Sequence, residues 1–120
     1  MKVFAIEMIK ASGASANPQQ PPLQFEGADL RGAQSRLLTA RGVCLDNGRL
    51  GKINVAGASL EGCSFKNADL KRANFFGCEL TKVDFSGADL RGADLRNTVK
   101  SNVIMTGANW AKASKPRRSA

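Results

Sequence analysis

Three thiols, Cys44, Cys63 and Cys78, are the strongest nucleophiles in this chain, and no histidine stands anywhere in it to activate them. Without imidazole, the commonest general base and the commonest metal ligand are both missing. The cysteine spacing fits no zinc pattern, and an odd number of thiols closes no complete disulfide framework. Reduced thiols in a cytosolic setting are the expectation. The ten Asp and Glu residues are scattered, and no pair of them is set by its spacing into a concave pocket. The sequence therefore assigns no catalytic, metal-binding or cofactor-binding residue, and it points away from an enzyme and from a small-molecule substrate.

What the side chains can do is bind. Eighteen Lys and Arg give a net charge of +8, which favours acidic partners. Leu23 to Lys112 holds 13 basic and 9 acidic residues, a net of +4, and Lys115, Arg117 and Arg118 add +3 in a short tail. At the other end, Val3, Phe4, Ile6, Met8 and Ile9 concentrate apolar side chains in ten residues, with Glu7 among them. That acid argues against an export signal, although Ala14-Ser15-Ala16 has the look of a cleavage site. No run approaches the ~20 apolar residues of a membrane span. A cytoplasmic location, or a place inside a macromolecular assembly, is expected rather than secretion.

The element that positions these groups is a repeat of five. Counting from Leu30 in fives, 15 of the 18 centres between Phe25 and Trp110 are large and apolar, and the register never slips. Two residues before each centre no charge occurs, and ten of the 18 are Ala or Cys. Two residues after it stand nine of the chain's 12 glycines, joined by Asn47, Asn67, Asn97 and Asn102. Gly and Asn tolerate left-handed backbone at little cost. A period of five suits neither a helix nor a plain strand. It suits a short extended segment, whose alternate residues share an inward face, followed by a corner. Stacked coils of such segments pair their backbone groups above and below.

Ala28-Asp29-Leu30-Arg31-Gly32, Ala68-Asp69-Leu70-Lys71-Arg72, Ala88-Asp89-Leu90-Arg91-Gly92 and Ala93-Asp94-Leu95-Arg96-Asn97 resemble the signature of the pentapeptide-repeat proteins. The resemblance covers about three-quarters of the chain. It implies an all-β fold, a right-handed quadrilateral β-helix of four repeats per coil and about four and a half coils, to which this chain's own residues add a short N-terminal arm and a basic C-terminal tail. The expected divisions are an apolar arm or cap over residues 1–10, a Pro/Ser/Gly linker over 11–22, the solenoid over 23–112 and the tail over 113–120.

Residues twenty apart then share a side. The side centred on Leu30, Leu50, Leu70, Leu90 and Trp110 is the most basic, with Arg31, Arg49, Lys52, Lys71, Arg72, Arg91 and Lys112 among Asp29, Asp69 and Asp89. On the next side Phe76 points outward. Cys63 and Cys78 fall in the inward column of small residues, and Cys44 faces outward. The pattern falters at Ser35 and Ala40, where Leu37 and Leu38 are expected to fill the space. At Lys100 a bulge or outward turn is expected, with Val99 reaching the interior. At Gly48 a loosened corner is expected.

The expected function is that of a non-enzymatic structural or scaffolding protein acting through protein–protein contacts, as a homo-oligomer or as one component of a larger assembly such as a virion. The expected contacts are Val3, Phe4, Ile6, Met8 and Ile9 on the arm, which either folds back over the first coil or inserts into a partner. On the sides they are Arg31, Lys71, Arg72, Phe76 and Arg91, and on the tail Lys115, Arg117 and Arg118. The alternative is a nucleic-acid-binding or topoisomerase-associated module that uses the basic face and tail. The topoisomerase-directed role in the family belongs to acidic, long, DNA-imitating members, and this chain is basic and short.

Overall fold

The structure, a computed structural model, describes residues 2–14 and 23–114. One helix, α1 (Lys2–Ala14), precedes six short strands. These are β1 (Leu23–Gln24), β2 (Thr39–Arg41), β3 (Val43–Cys44), β4 (Ser59–Glu61), β5 (Glu79–Thr81) and β6 (Val99–Ser101). All pairings between them are parallel and offset by twenty residues, as in Leu60 opposite Leu80. Strands β2, β4, β5 and β6 stack as one side of the coil, and β1 with β3 begins the next. The two remaining sides are held by single parallel bridges at the same offset, such as Asp29 with Arg49 and Asn54 with Asn74. The result is a four-sided β-helix.

The corners explain the period of five. Every fifth residue from Gly27 to Lys112 has φ between +54° and +74°. Only glycine enters that region without strain, and Asn enters it at small cost. On three sides the turn is closed by a bond such as that from the Ala73 N–H to the Leu70 carbonyl, 3.0 Å. A positive φ at its third residue is the geometry of a type II turn.

Inside, the centres form columns. Leu30, Leu50, Leu70 and Leu90 are buried one above another. The Phe65 and Phe85 rings stack at 5.2 Å, and Phe75 meets both edge-on at 6.2 and 5.7 Å. Both are favoured aromatic geometries. The small residues before the centres let the four sides close on these large ones. No single coil could bury its own face, so the core exists only through stacking.

Helix α1 packs against β2. Ala5, Ile6 and Ile9 lie on one stripe of the helix and join the solenoid core, while Met8 and the Glu7–Lys10 pair at 3.5 Å stay outside. The hollow that receives them is where the centres are weak, since Ser35 and Ala40 leave space in the first coil. An apolar cavity of about 20 Å³ remains between Ile6, Ile9, Leu38, Ala40 and the column beyond. The helix continues through Ala14, past Lys10, where the sequence suggests the start of a linker.

Several local expectations need correction. Leu38 is buried but Leu37 is not: it is 73 % exposed at a left-handed corner, because only the residue two before a centre faces inward. No bulge forms at Lys100. Residues Val99–Ser101 stay in register with Glu79–Thr81, and the Val99 N–H reaches the Cys78 carbonyl at 2.9 Å. Alternation therefore turns Val99 outward, 65 % exposed. Lys100 occupies an inward column, but at the end of the described stack, where its ammonium emerges 5.5 Å from the centre of the Trp110 ring. The corner at Gly48 is not loosened. Its N–H bonds Leu45 as in its neighbours, and a Cβ there would meet the Leu45 carbonyl at 2.9 Å.

Candidate interaction surfaces

Because the interior is filled, the groups able to meet another molecule are the outward columns and the two ends. On the basic side, each Asp-Leu-Arg or Asp-Leu-Lys unit carries its own pair. Arg31 donates to Asp29 through Nε and Nη2 at 2.9 and 2.7 Å, and Arg91 repeats this with Asp89. Lys71 lies 3.7 Å from Asp69. The flanking residues of an extended centre point the same way, so side chains two apart meet. These bonds hold the Asp29 and Asp89 carboxyls below their ordinary 3.8. With the acids so occupied, the surplus charge sits at Arg49 and in the corner column at Lys52, Arg72 and Lys112, none of which has an ion pair among the described residues.

On the next side, Phe76 is 39 % exposed and lies in an open groove of about 410 Å³ between Arg36, Asn54, Ala56, Asn74, Asp94 and Arg96. Asp94 accepts from Nε and Nη2 of Arg96 at 3.0 and 2.8 Å. The guanidinium is thereby fixed 5.4 Å from the ring centre of Phe76. The twenty-residue spacing already puts Arg36, Ala56, Phe76 and Arg96 on one side, but it does not mark Arg96 as a contact or show that it meets the ring.

The expected contact residues thus separate. Arg31, Lys71, Arg72, Phe76 and Arg91 all stand on the solenoid's outside, the four cations on one side and Phe76 on the next. Ile6 and Ile9 do not face a partner, because the first coil of their own chain buries them. Met8 is exposed. Val3 and Phe4 belong to α1, but their side chains lie outside the described residues, as do Lys115, Arg117 and Arg118. Cys44 is half-buried in β3, whereas Cys63 and Cys78 are buried. Burial pushes the Cys78 thiol up to about 11, and its S–H donates to the Val55 carbonyl at 3.0 Å. Burial raises Cys63 as well. Among the described residues no group of three or more Cys, Asp or Glu could hold a metal ion, and no helix is long and apolar enough to cross a membrane.

Residues 58–97 match the family model of pentapeptide repeats, in eight copies. No curated protein sequence matches the chain. Among solved structures, it is similar to QnrB1, a plasmid-mediated fluoroquinolone resistance protein, with a TM-score of 0.54 and 19 % identity over 75 % of this chain and 54 % of that one. The chain therefore spans about half the length of QnrB1, and the likeness is one of fold. It is also similar to a pentapeptide repeat protein from the cyanobacterium Cyanothece 51142, at TM-score 0.46, 16 % identity and coverage of 98 % and 94 %. A third is a pentapeptide repeat protein from the Arabidopsis thaliana thylakoid lumen, at TM-score 0.38, 28 % identity and coverage of 71 % and 63 %.

Proposed function

We propose that this pentapeptide-repeat protein is a non-enzymatic interaction element that engages a protein partner through the side carrying Phe76. The observation that carries the reading is the exposed Phe76 ring with the Arg96 guanidinium set over it in an open groove. Aromatic residues and arginine dominate binding energy at protein interfaces. Here an aromatic and two arginines, Arg36 and Arg96, share one side with the exposed Leu37. Arg96 is already ordered by Asp94, so little side-chain entropy remains to be lost on binding.

The interior supports the same reading. Stacked Leu and Phe columns fill it, and its apolar cavity of about 20 Å³ is the size of one water, far below a substrate site. The burial of Ile6 and Ile9 takes those two out of the proposed contacts and favours the sides. The chain would present its outer columns as a rigid face, in the manner of a scaffold within a larger assembly.

The test is affinity capture with the intact chain and with Phe76→Asp. Loss of specific partners by the variant, with an unchanged circular dichroism spectrum, is the expected result. Identical capture by both proteins overturns the assignment of this side. Salt-sensitive retention by DNA with no protein partner would favour the nucleic-acid alternative.

A further inference from the structure

On the basic side, the residue after each centre forms a column of Arg31, Gly51, Lys71, Arg91 and Ala111. In four of these five the outward backbone N–H is taken by the side chain two residues earlier. Asp29, Asp69, Asp89 and Asn109 accept it at 3.1–3.2 Å. Gly51 differs because Arg49 occupies the position of the aspartate. An arginine cannot accept, and the Gly51 N–H has no acceptor among the described residues. The repeat is therefore missing one side-chain acceptor at this point, an aspartate in three of the four other coils.

The surroundings are shaped for a replacement. Gly32 and Gly51 leave gaps in two adjacent columns, and the result is a groove of about 600 Å³ lined by Arg31, Gly32, Gly51, Lys52, Lys71 and Arg72. Every side chain on its rim is a cation. Glycine at 51 is not demanded by the backbone, since its φ is outside the left-handed range and an added Cβ would meet only the Lys71 carbonyl at an ordinary 3.7 Å. Lys52 and Arg72, in contrast, hold φ of 59° and 60°, a conformation that Gly or Asn would adopt with less strain. So the floor is open where a side chain would fit, and the rim is charged where glycine would be easier.

We propose that this groove is a binding site for an oligophosphate anion, one of whose oxygens accepts the Gly51 N–H in place of the missing aspartate. Arg72 offers a planar donor fork that suits a phosphoryl group, and Lys52 offers a point charge, while Lys71 is already 3.7 Å from Asp69. Backbone amides beside cations are a recurrent way of holding phosphate. No aromatic or apolar residue lines the groove to stack a base, so the phosphate chain itself is recognised. The proposal does not depend on the Phe76 side and would survive the loss of that reading.

The experiment is a titration of the full chain with sodium tripolyphosphate, read by calorimetry and by the amide chemical shift of Gly51. Arg49→Asp should restore the internal acceptor and weaken binding by at least about tenfold, an effect of ~1.4 kcal/mol. Arg72→Gln should weaken it to a similar degree. Lys82→Gln, which removes a charge from a different side, should change it by less than about twofold, as expected of a distant screened charge. Binding accompanied by a shift of the Gly51 amide, and lost in Arg49→Asp while its melting curve is unchanged, supports the site. Absence of binding at low salt overturns it, and so does an equal loss in Lys82→Gln, which would mean diffuse attraction. Tighter binding of a single-stranded oligonucleotide with the same variant losses would overturn the assignment to a free oligophosphate.

Discussion

Arg96 stands with its guanidinium carbon 5.4 Å from the centre of the Phe76 ring, one coil away, while both its Nε and Nη2 donate to Asp94. A cation held over an exposed ring contributes about 0.5–1 kcal/mol. Phe76→Ala should therefore lower unfolding stability by about that amount and leave the spectrum unchanged. Asp94→Ala should cost a comparable fraction, and the two losses should fall short of additive because they share Arg96. A double-mutant cycle in urea measures this. Strict additivity would show that Asp94 does not position the cation.

The helix cap is testable through Ile9, which is buried between α1 and the first coil. Ile9→Ala should destabilise by about 2–5 kcal/mol, the range for truncating a buried aliphatic. Met8→Ala, one residue away on the exposed face, should stay within about 0.5 kcal/mol. Equal small effects would mean that α1 does not close the core in solution.

Ser35 occupies a centre position, buried, with its hydroxyl lacking any hydrogen-bond partner among the described residues. An unsatisfied buried hydroxyl costs about 1–3 kcal/mol. Ser35→Ala removes it without overfilling the coil and should raise stability by roughly 1 kcal/mol. A loss on this substitution would reveal an acceptor that the hydroxyl uses in solution.

The thiols should separate under alkylation of the native protein. Cys44 is half-buried on an outward column, and Cys63 and Cys78 are buried with raised pKa. The thiolate is the reactive form. Cys44 should react first, and Cys63 and Cys78 only on unfolding. Mass spectrometry of peptides reads the order, and equal rates would refute the assignment of inside and outside.

Acid should act late. The side-chain hydrogen bonds of Arg31, Arg91 and Arg96 lower Asp29, Asp89 and Asp94 below their ordinary 3.8. A carboxyl lowered in the folded state contributes stability that is full above the unfolded value and is lost as pH falls through the folded one. The melting temperature should therefore show no change from these pairs between neutral pH and about pH 5, and should fall below about 3.8 as they protonate. Asp89→Asn should flatten part of that fall. Each pair is exposed, so each effect is modest.

Much of this molecule follows from composition at fixed spacing. A strand must alternate, and a corner must accept positive φ. Residues that repeat every five therefore declare their own direction: Leu70 inward, Lys71 outward, Gly92 at a turn. Such rules are local, and they hold from Phe25 to Leu95 because each unit contacts its neighbours in the same way. The sites depend on what is not local. That Lys100 escapes a dry core follows from its place at the end of the described stack, and that Ile6 and Ile9 are core residues follows from the hollow at Ser35 and Ala40. A twenty-residue offset brings Arg96 onto Phe76, and Arg49 in place of an aspartate leaves the Gly51 amide without an acceptor among the described residues. Backbone sterics act within a few residues, so the direction of most solenoid side chains is legible in their spacing. What each side chain meets is not, because those neighbours lie a coil away or across the helix cap.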